Sequence, residues 1–516
     1  MKKYYITTPI YYVNDKPHIG HAYTTIAADI VARWRRLQGD EVFFLTGTDE
    51  HGVKICQSAQ IKGMTPKQLC DEMSEYFKQA WKLLNISNDG FIRTTDKQHE
   101  ETVQLIMQKL YDKGLIYKKR YKGLYCVGCE KFIAEKDLDE NGCCPDHKKK
   151  PVVQSEENYF FKLSIFNEQL IDIIENPANR NHIEVLPETR RNEILGKLRL
   201  GLEDISISRV ALDWGIPLPF DKTQTVYVWV DALINYISAV GYKGNKERFE
   251  KFWPADIHLM AKDILWFHSV IWPALLIGAD IPVHKRVYAH GFFTINGDKM
   301  SKSIGNVITP TQLVEKFGVD PTRYLAVSLI PFGPDGDISM DELTKKYNVD
   351  LANNLGNLVS RTNKMAEKYF DAKVPQISNE DILTKEVAKI LNNGYSISIE
   401  NMQFHKTAEI LQQAITLINQ QIEQDAPWKL AKTDTKKLAN CIYSYFQATD
   451  LIVLHLIPFM PTISEKIWAL NGANGNIIEV AKKYFQDKQI PKEGFSSANN
   501  KLGNFEILFP RIEIKK

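Results

Sequence analysis

No stretch of this 516-residue chain approaches the roughly 20 consecutive apolar residues that a membrane span requires. The longest apolar run in its later part, Leu451 to Met460, is interrupted by His455 and Pro458. The first residues, Met1-Lys2-Lys3-Tyr4-Tyr5-Ile6-Thr7-Thr8-Pro9, run straight into a strand-like segment and lack the apolar core and small-residue cleavage site of a secretory signal. A soluble, cytoplasmic protein is expected. Charge of one sign is also missing: 65 Lys and Arg against 63 Asp and Glu leave a net +2, so overall charge does not mark a nucleic-acid binder. Three local basic groups, Arg33-Arg35-Arg36, Lys118-Lys119-Arg120 and Lys148-Lys149-Lys150, read as ordinary solvated faces. Low-complexity tracts and internal repeats are absent. Cysteine is scarce, with seven in the whole chain, and four of them, Cys126, Cys129, Cys143 and Cys144, fall in one short stretch with His147 close behind. Without an export signal, that clustering favours metal over disulfides.

What is present is the composition of an ordinary folded protein, 44% apolar and 25% charged, too long for a single core and suited to three or four compact units. Residues 4 to 12 alternate like a buried strand, and Asn14-Asp15-Lys16-Pro17 makes a turn. A helix opens near Gly20 with Ala22, Ile26, Ile30, Trp34 and Leu37 on one face and Gly39 as its stop. Glu41 to Leu45 reads as the next strand. Strand, helix and strand make a right-handed βαβ unit, which predicts a doubly wound, Rossmann-like parallel sheet with ligands at the C-terminal strand ends. His18, His21 and Asp49 lie at those ends.

Two further helices are expected, one entered by Thr65-Pro66 and one from Asp96 to Gly114. Residues 116 to 225 break the βα alternation and read as an inserted domain. Alternation resumes with an expected strand at Val226–Val230, a helix from Ala232, a strand at Ile257–Met260, a helix from Ile264 to Ile277 and a strand from Arg286 to Ile295. Asn296-Gly297-Asp298 signals a tight turn leading into a loop, Lys299-Met300-Ser301-Lys302-Ser303. From Val349 to Trp468 the pattern is helical, predicting a separate bundle.

Three constellations carry chemistry. In Pro17-His18-Ile19-Gly20-His21, the helix N-terminus offers unpaired N–H groups, Gly20 lets a ligand approach, and two imidazoles can donate to phosphate oxygens; the alternative is a turn and cap with no ligand. In the lysine loop, Lys299 and Lys302 with the Ser301 hydroxyl could meet the charge that emerges as pyrophosphate departs, stabilising a transition state more than bound nucleotide. In the cysteine cluster, Cys126 and Cys129 form a two-residue knuckle, and Cys144 with His147 repeats that spacing. Cys144 is therefore chosen over Cys143, and the four side chains fit one structural, tetrahedral Zn2+.

Taken in this order, the histidine and lysine motifs resemble the paired nucleotide-binding signatures of class I aminoacyl-tRNA synthetases. The closer resemblance is to methionyl-tRNA synthetases with a single zinc knuckle. It rests on Pro9-Ile10-Tyr11-Tyr12-Val13-Asn14, Gly47-Thr48-Asp49-Glu50-His51-Gly52, Tyr227-Val228-Trp229-Val230-Asp231-Ala232 and Lys262-Asp263-Ile264 with Phe267-His268 and Trp272, and spans nearly the whole chain. The resemblance implies that ATP is held by His18, Gly20, His21, Asp263, Lys299, Ser301 and Lys302, and that His18, His21, Lys299 and Lys302 serve catalysis. It implies a methionine pocket of Ile10, Tyr12, Trp229, Ala232, Tyr236, Phe267, His268 and Trp272, with Asp49 on the ammonium group. An apolar, aromatic cage suits a soft thioether. Asn357, Arg361 and Trp428 resemble the family's anticodon-reading residues, suited to unpaired bases. Leu233 stands where some relatives have proline.

The resulting expectation is an α/β catalytic domain in two halves, residues 1–115 and 226–304, around an inserted zinc-knuckle domain at 116–225. A connector at 305–350 and a helical anticodon domain at 351–516 follow. ATP with Mg2+, methionine, one structural Zn2+ and initiator and elongator methionine tRNAs are the expected ligands and partners, with no membrane and a monomeric state. Two rivals remain: a class I synthetase for another amino acid, such as cysteine bound through zinc, and a silent tRNA-binding relative lacking the loop lysines, which Lys299 and Lys302 argue against.

Overall fold

The computed structural model describes residues 2–126, 131–133, 135–145, 148–210, 213–295, 297–299, 307–376, 381–487, 489–490, 495–504 and 506–513. Among them, six strands form one parallel sheet in the spatial order Gly90–Arg93, Glu41–Asp49, Lys3–Tyr12, Ile257–Ala261, Arg286–His290 and Glu184–Leu186. The Lys3–Tyr12 and Ile257–Ala261 strands are neighbours in space, Ile6 opposite Ile257, although the chain winds outward from each in opposite directions. This is the switch point at which an open α/β sheet leaves a crevice beyond its carboxyl ends.

Side chains alternate between two apolar layers. Tyr4, Ile6, Phe44, Ile257 and Leu259 face one core, while Tyr5, Phe43, Leu45, Met260 and Val287 face the other. The helix Ile19–Leu37 covers the first face with the predicted residues Ala22, Ile26, Ile30, Trp34 and Leu37 buried, and Gly39, at φ 86°, ends it. Thr65 and Gln68 close a capping box at the start of Pro66–Leu83, and Thr309 with Gln312 does the same for Pro310–Phe317.

Several expectations change. The run Val226–Val230 is not a strand: Gln224–Val226 pairs antiparallel with Ser208–Val210, and a helix already runs over Val228–Ser238. An apolar run buried on all sides carries no period, so strand and buried helix look alike in it. Arg286–Ile295 splits at Gly291, where a Cβ would stand 2.4 Å from the Asp335 nitrogen, and Phe293–Ile295 pairs instead with Gly336–Ile338 and Asp298–Lys299. Lys299 therefore ends a short hairpin strand rather than sitting on a loop. Within 116–225, an antiparallel sheet of Lys131–Ile133, Ile116–Cys126, Val152–Phe161 and Ile205–Ser206 forms as an insertion would, yet Glu184–Leu186 returns to the edge of the parallel sheet.

The helical region is not packed as a separate body. Trp34 meets Tyr395 and Phe485 edge-on, with ring centroids 5.3 and 4.9 Å away, and one apolar cluster runs from the sheet into the bundle. Arg323, wholly buried, reinforces the junction. Its guanidinium pairs with Asp29 at 2.6 Å and donates to the carbonyls of Leu84, Pro458 and Phe459 at 3.0 Å each. An ion pair so enclosed persists because its donors are all satisfied. The basic group Arg33-Arg35-Arg36 is likewise spent internally, on Asp29, Asp40 and Asp89. Among the described residues no helix is long and apolar enough to cross a membrane.

The segment 495–504 docks on the bundle through Asp450, which accepts hydrogen bonds from Ser496 Oγ at 2.5 Å and, within the bundle, from Asn471 Nδ2 at 2.7 Å. Burial raises this carboxyl from 3.8 to about 7, against the lowering effect of those two donors. The folded chain thus binds a proton that the unfolded chain has lost, and its stabilising effect, complete below 3.8, disappears as pH rises through about 7. Asp450→Asn, which mimics the neutral acid, should raise stability in mildly alkaline buffer by on the order of 1–3 kcal/mol and leave it unchanged at strongly acidic pH. Thermal midpoints across pH measure this; parallel curves for both proteins would refute it.

Candidate functional site

The crevice is built first by the helix Ile19–Leu37. His18 is its N-cap: Gly20 N donates to His18 Nδ1 at 3.1 Å, and His18 N donates to His21 Nδ1 at 3.2 Å, so each ring caps one end of a reciprocal pair. The rings stack with centroids 3.8 Å apart. The cap occupies only the two Nδ1 atoms. With both Nδ1 atoms accepting, each neutral ring carries its proton on Nε2, where it remains a donor for an incoming oxygen. Burial holds His18 neutral, down to about 4, and His21 well below its usual value by burial and by its neighbour His18.

The start of this helix meets the far side of the lysine segment. Ile19 N donates to the Ile308 carbonyl at 2.9 Å, and Thr24 Oγ1 lies 2.6 Å from His290 Nε2, at the end of the Arg286–His290 strand. Sequence positions some 270 residues apart are so brought to one helix end. Ser301 and Lys302 lie outside the described residues, as does the Lys299 side chain. Asp263 stands exposed on the turn that follows Ile257–Ala261, across the switch point from His18.

Beside the histidines, Tyr12 pairs in register with Asp49, and Val13 N donates to the Asp49 carbonyl at 3.2 Å. The Asp49 side chain is buried at these strand ends. Ile10, Tyr12, Trp229 and Phe267, all half-buried, pack with buried Tyr236 and Trp272 in a single apolar cluster. Trp229 and Phe267 stack at 4.3 Å. Trp229, Ala232 and Tyr236 share one face of helix Val228–Ser238. His268 sits on a π-helical turn, Phe267–Ile271, that lets its Nδ1 donate to the Ile264 carbonyl at 2.9 Å. Its Nε2 then accepts from the Tyr236 hydroxyl at 2.7 Å, and burial keeps the ring neutral, down to about 4. The result is an apolar, aromatic cluster, half-buried at Ile10, Tyr12, Trp229 and Phe267, with a buried, hydrogen-bonded Tyr–His pair behind it.

Glu50, His51 and Asp231 stand within the motifs that carry the resemblance, and no role follows for them from sequence. Glu50, fully buried, accepts both arms of Arg93 at 2.7 and 2.8 Å and the hydroxyls of Thr48 and Thr95. Asp231, also buried, receives His51 Nδ1 on one oxygen and His99 Nε2 on the other, each at 2.7 Å, and His99 Nδ1 lies 2.8 Å from Ser238 Oγ. Burial opposes charge on His51, but the Asp231 carboxylate outweighs it and raises the ring above its ordinary value. Arg209 was missed altogether; its guanidinium lies over the Tyr227 ring at 4.2 Å. No local pattern marks the Asp231 bridge, since its partners His99 and His51 are 132 and 180 residues away.

In the insertion, Cys126 and Cys144 are buried in one small cluster with Ile133 and Leu138, while Cys143 is half-buried with its Sγ near the Asn141 carbonyl. Cys129 and His147 lie outside the described residues, and no metal-capable group of three or more occurs among the described ones. In the helical region, Asn357 Nδ2 donates to the Asn353 carbonyl at 2.7 Å, and Arg361 pairs with Glu423. Glu423 lies in the last turn of the helix Phe404–Asp425, beyond which Ala426 at φ 45° turns the chain into Trp428, a large aromatic left 46% exposed.

Fold and crevice together are those of a class I tRNA synthetase. The family model for tRNA synthetases class I (M) matches residues 4–150 and 140–363, and that for the anticodon binding domain of methionyl tRNA ligase matches residues 373–486. The methionine–tRNA ligase of Caldanaerobacter subterraneus subsp. tengcongensis is 43% identical over 100% of this chain and 80% of its own length; that of Streptomyces coelicolor is 42% identical over 100% and 97%. A Mycobacterium tuberculosis methionyl-tRNA synthetase in complex with methionyl-adenylate superposes with a TM-score of 0.92 at 35% identity, over 99% of this chain and 100% of that one. The chain belongs to the methionine–tRNA ligase family.

Proposed function

We propose that this enzyme joins methionine to ATP as methionyl-adenylate and pyrophosphate, then esterifies the terminal ribose of initiator and elongator methionine tRNAs. The observation that carries the reading is the switch point: the capping histidines and Ile308, downstream of the lysine segment in sequence, share one helix end, beside a cluster of half-buried aromatics. In the first step a methionine carboxylate oxygen attacks the α-phosphorus and pyrophosphate leaves. His18 and His21 offer neutral Nε2–H donors to phosphate oxygens, the Gly20 backbone allows close approach, and Asp263 takes the ATP ribose. Lys299, Ser301 and Lys302 meet the departing pyrophosphate, whose Mg2+ arrives with ATP. In the second step a ribose hydroxyl attacks the acyl carbonyl, and AMP departs with the bond electrons.

Asp49 holds the substrate ammonium, and Ile10, Tyr12, Trp229, Ala232, Tyr236, Phe267, His268 and Trp272 enclose the thioether. Cys126, Cys129, Cys144 and His147 suit one tetrahedral structural Zn2+, which would brace the insertion near the tRNA acceptor end. On this reading residues 1–115 and 226–304 are the catalytic halves, 116–225 the insertion, 305–350 the connector and 351–516 the anticodon domain of a cytoplasmic monomer. ATP–pyrophosphate exchange with a panel of amino acids tests the whole reading. Methionine should dominate, with homocysteine and norleucine as the nearest errors because one methylene is worth only about 1–3 kcal/mol; exchange with cysteine instead would overturn it.

Anticodon reading is assigned to Asn357, Arg361 and Trp428, with Trp428 stacking on a base. Trp428→Ala should lower tRNA charging about 10-fold or more, since stacking on one base contributes about 1–3 kcal/mol, and leave pyrophosphate exchange intact. Equal loss in both assays would point to damaged folding and remove the assignment.

A further inference from the structure

Helix Val228–Ser238 carries two sets of side chains. Trp229, Ala232 and Tyr236 lie on the side of the proposed methionine cage, while Asp231, Asn235 and Ser238 lie on the opposite side at helical spacing. Asp231 is 1% exposed, and both its oxygens are engaged. One holds His51, two residues beyond Asp49 on the turn that ends the Glu41–Asp49 strand; the other holds His99, on helix Lys97–Asp112, which in turn reaches Ser238 at the last turn of the same Val228–Ser238 helix. The carboxylate and His99 thus grip that helix at both ends and tie it to the Asp49 turn. The remainder of that turn is held separately, Glu50 by Arg93 and Gly52 N by the Trp214 carbonyl at 3.3 Å.

We propose that Asp231 is a positioning residue for methionine, fixing the offset between the ammonium site at Asp49 and the side-chain cage on helix Val228–Ser238. The proposal rests on the reading above that Asp49 takes the ammonium group. Methionine touches both ends of this ruler at once, whereas a ligand that lacks the ammonium touches one. Ligands bound through two anchors lose affinity when the anchors shift, because a misplacement of about 1 Å can cost on the order of 10²-fold. Ligands bound through one anchor follow it.

The test compares methionine with its desamino analogue, 4-methylthiobutanoate, in the full-length enzyme. Asp231→Asn should raise KM for methionine about 10–100-fold in pyrophosphate exchange, with KM for ATP and the inhibition constant of the desamino analogue within about twofold of the unsubstituted enzyme. A purely structural role would instead weaken methionine, analogue and ATP together. Unchanged methionine KM, or equal losses for methionine and analogue, would overturn the proposal. If Asp231→Asn does not yield folded protein, His99→Gln decides by the same comparison, with a loss of several-fold expected for methionine alone. Asp49→Asn is run alongside: if it leaves methionine KM unchanged, the ammonium assignment itself is wrong, whereas a normal Asp49 response with no Asp231 effect removes only the positioning role.

Discussion

Replacing Lys302 with alanine is expected to slow methionyl-adenylate formation roughly 10²–10³-fold while leaving methionine affinity nearly unchanged. The capping histidines of the helix Ile19–Leu37 offer neutral donors. Neutral donors suit a triphosphate in the ground state but add little as negative charge builds on the departing pyrophosphate. An ammonium group aimed at that charge acts mainly in the transition state, so its removal lowers kcat more than it raises KM. The chain on the far side of the loop is anchored at the same helix end through Ile308, which places the lysine segment's exit beside His18. Presteady-state adenylate formation with saturating ATP measures the effect. A rate within about threefold of the unsubstituted enzyme would take Lys302 out of the reaction.

The first βαβ unit and its site were legible because three signals agree there: an alternating strand, a one-sided apolar helix and a Gly39 stop. The outer strands were not. Gly90–Arg93 and Glu184–Leu186 span 4 and 3 residues, too short to show a period, and the second lies inside what reads as an insertion. Val226–Val230 misled for a physical reason: β-branched and aromatic residues favour strands, but Tyr227 to Asp231 begin a helix buried on nearly all sides, and tertiary packing overrode propensity. The proposed cage residues follow from resemblance, and the structure adds the π-turn that aims His268 at Tyr236. The Asp231 bridge had no signature at all, since a lone Asp among apolar residues gains meaning from His51 and His99, both remote in sequence. The bundle's continuity with the sheet was equally hidden, because Trp34 presents the same apolar face whichever partner covers it.

Asp49→Asn should raise KM for methionine roughly 10²–10⁴-fold, the equivalent of the about 3–5 kcal/mol that follows when one partner of a buried charge pair is removed. The substitution keeps the side chain's size, and the backbone is held independently by the Val13 N–H on the Asp49 carbonyl and by register with Tyr12, so the strand end should survive it. With the charge gone, the ammonium of methionine enters a buried site without a counter-ion, and its desolvation is no longer offset. ATP touches neither Asp49 nor the cage on this reading, so KM for ATP should stay within about twofold, as should inhibition by the desamino analogue. Steady-state pyrophosphate exchange with each substrate varied in turn makes the measurement. A methionine KM that moves less than about threefold would place the ammonium elsewhere in the crevice, and parallel increases for methionine and ATP would indicate that the strand end had moved.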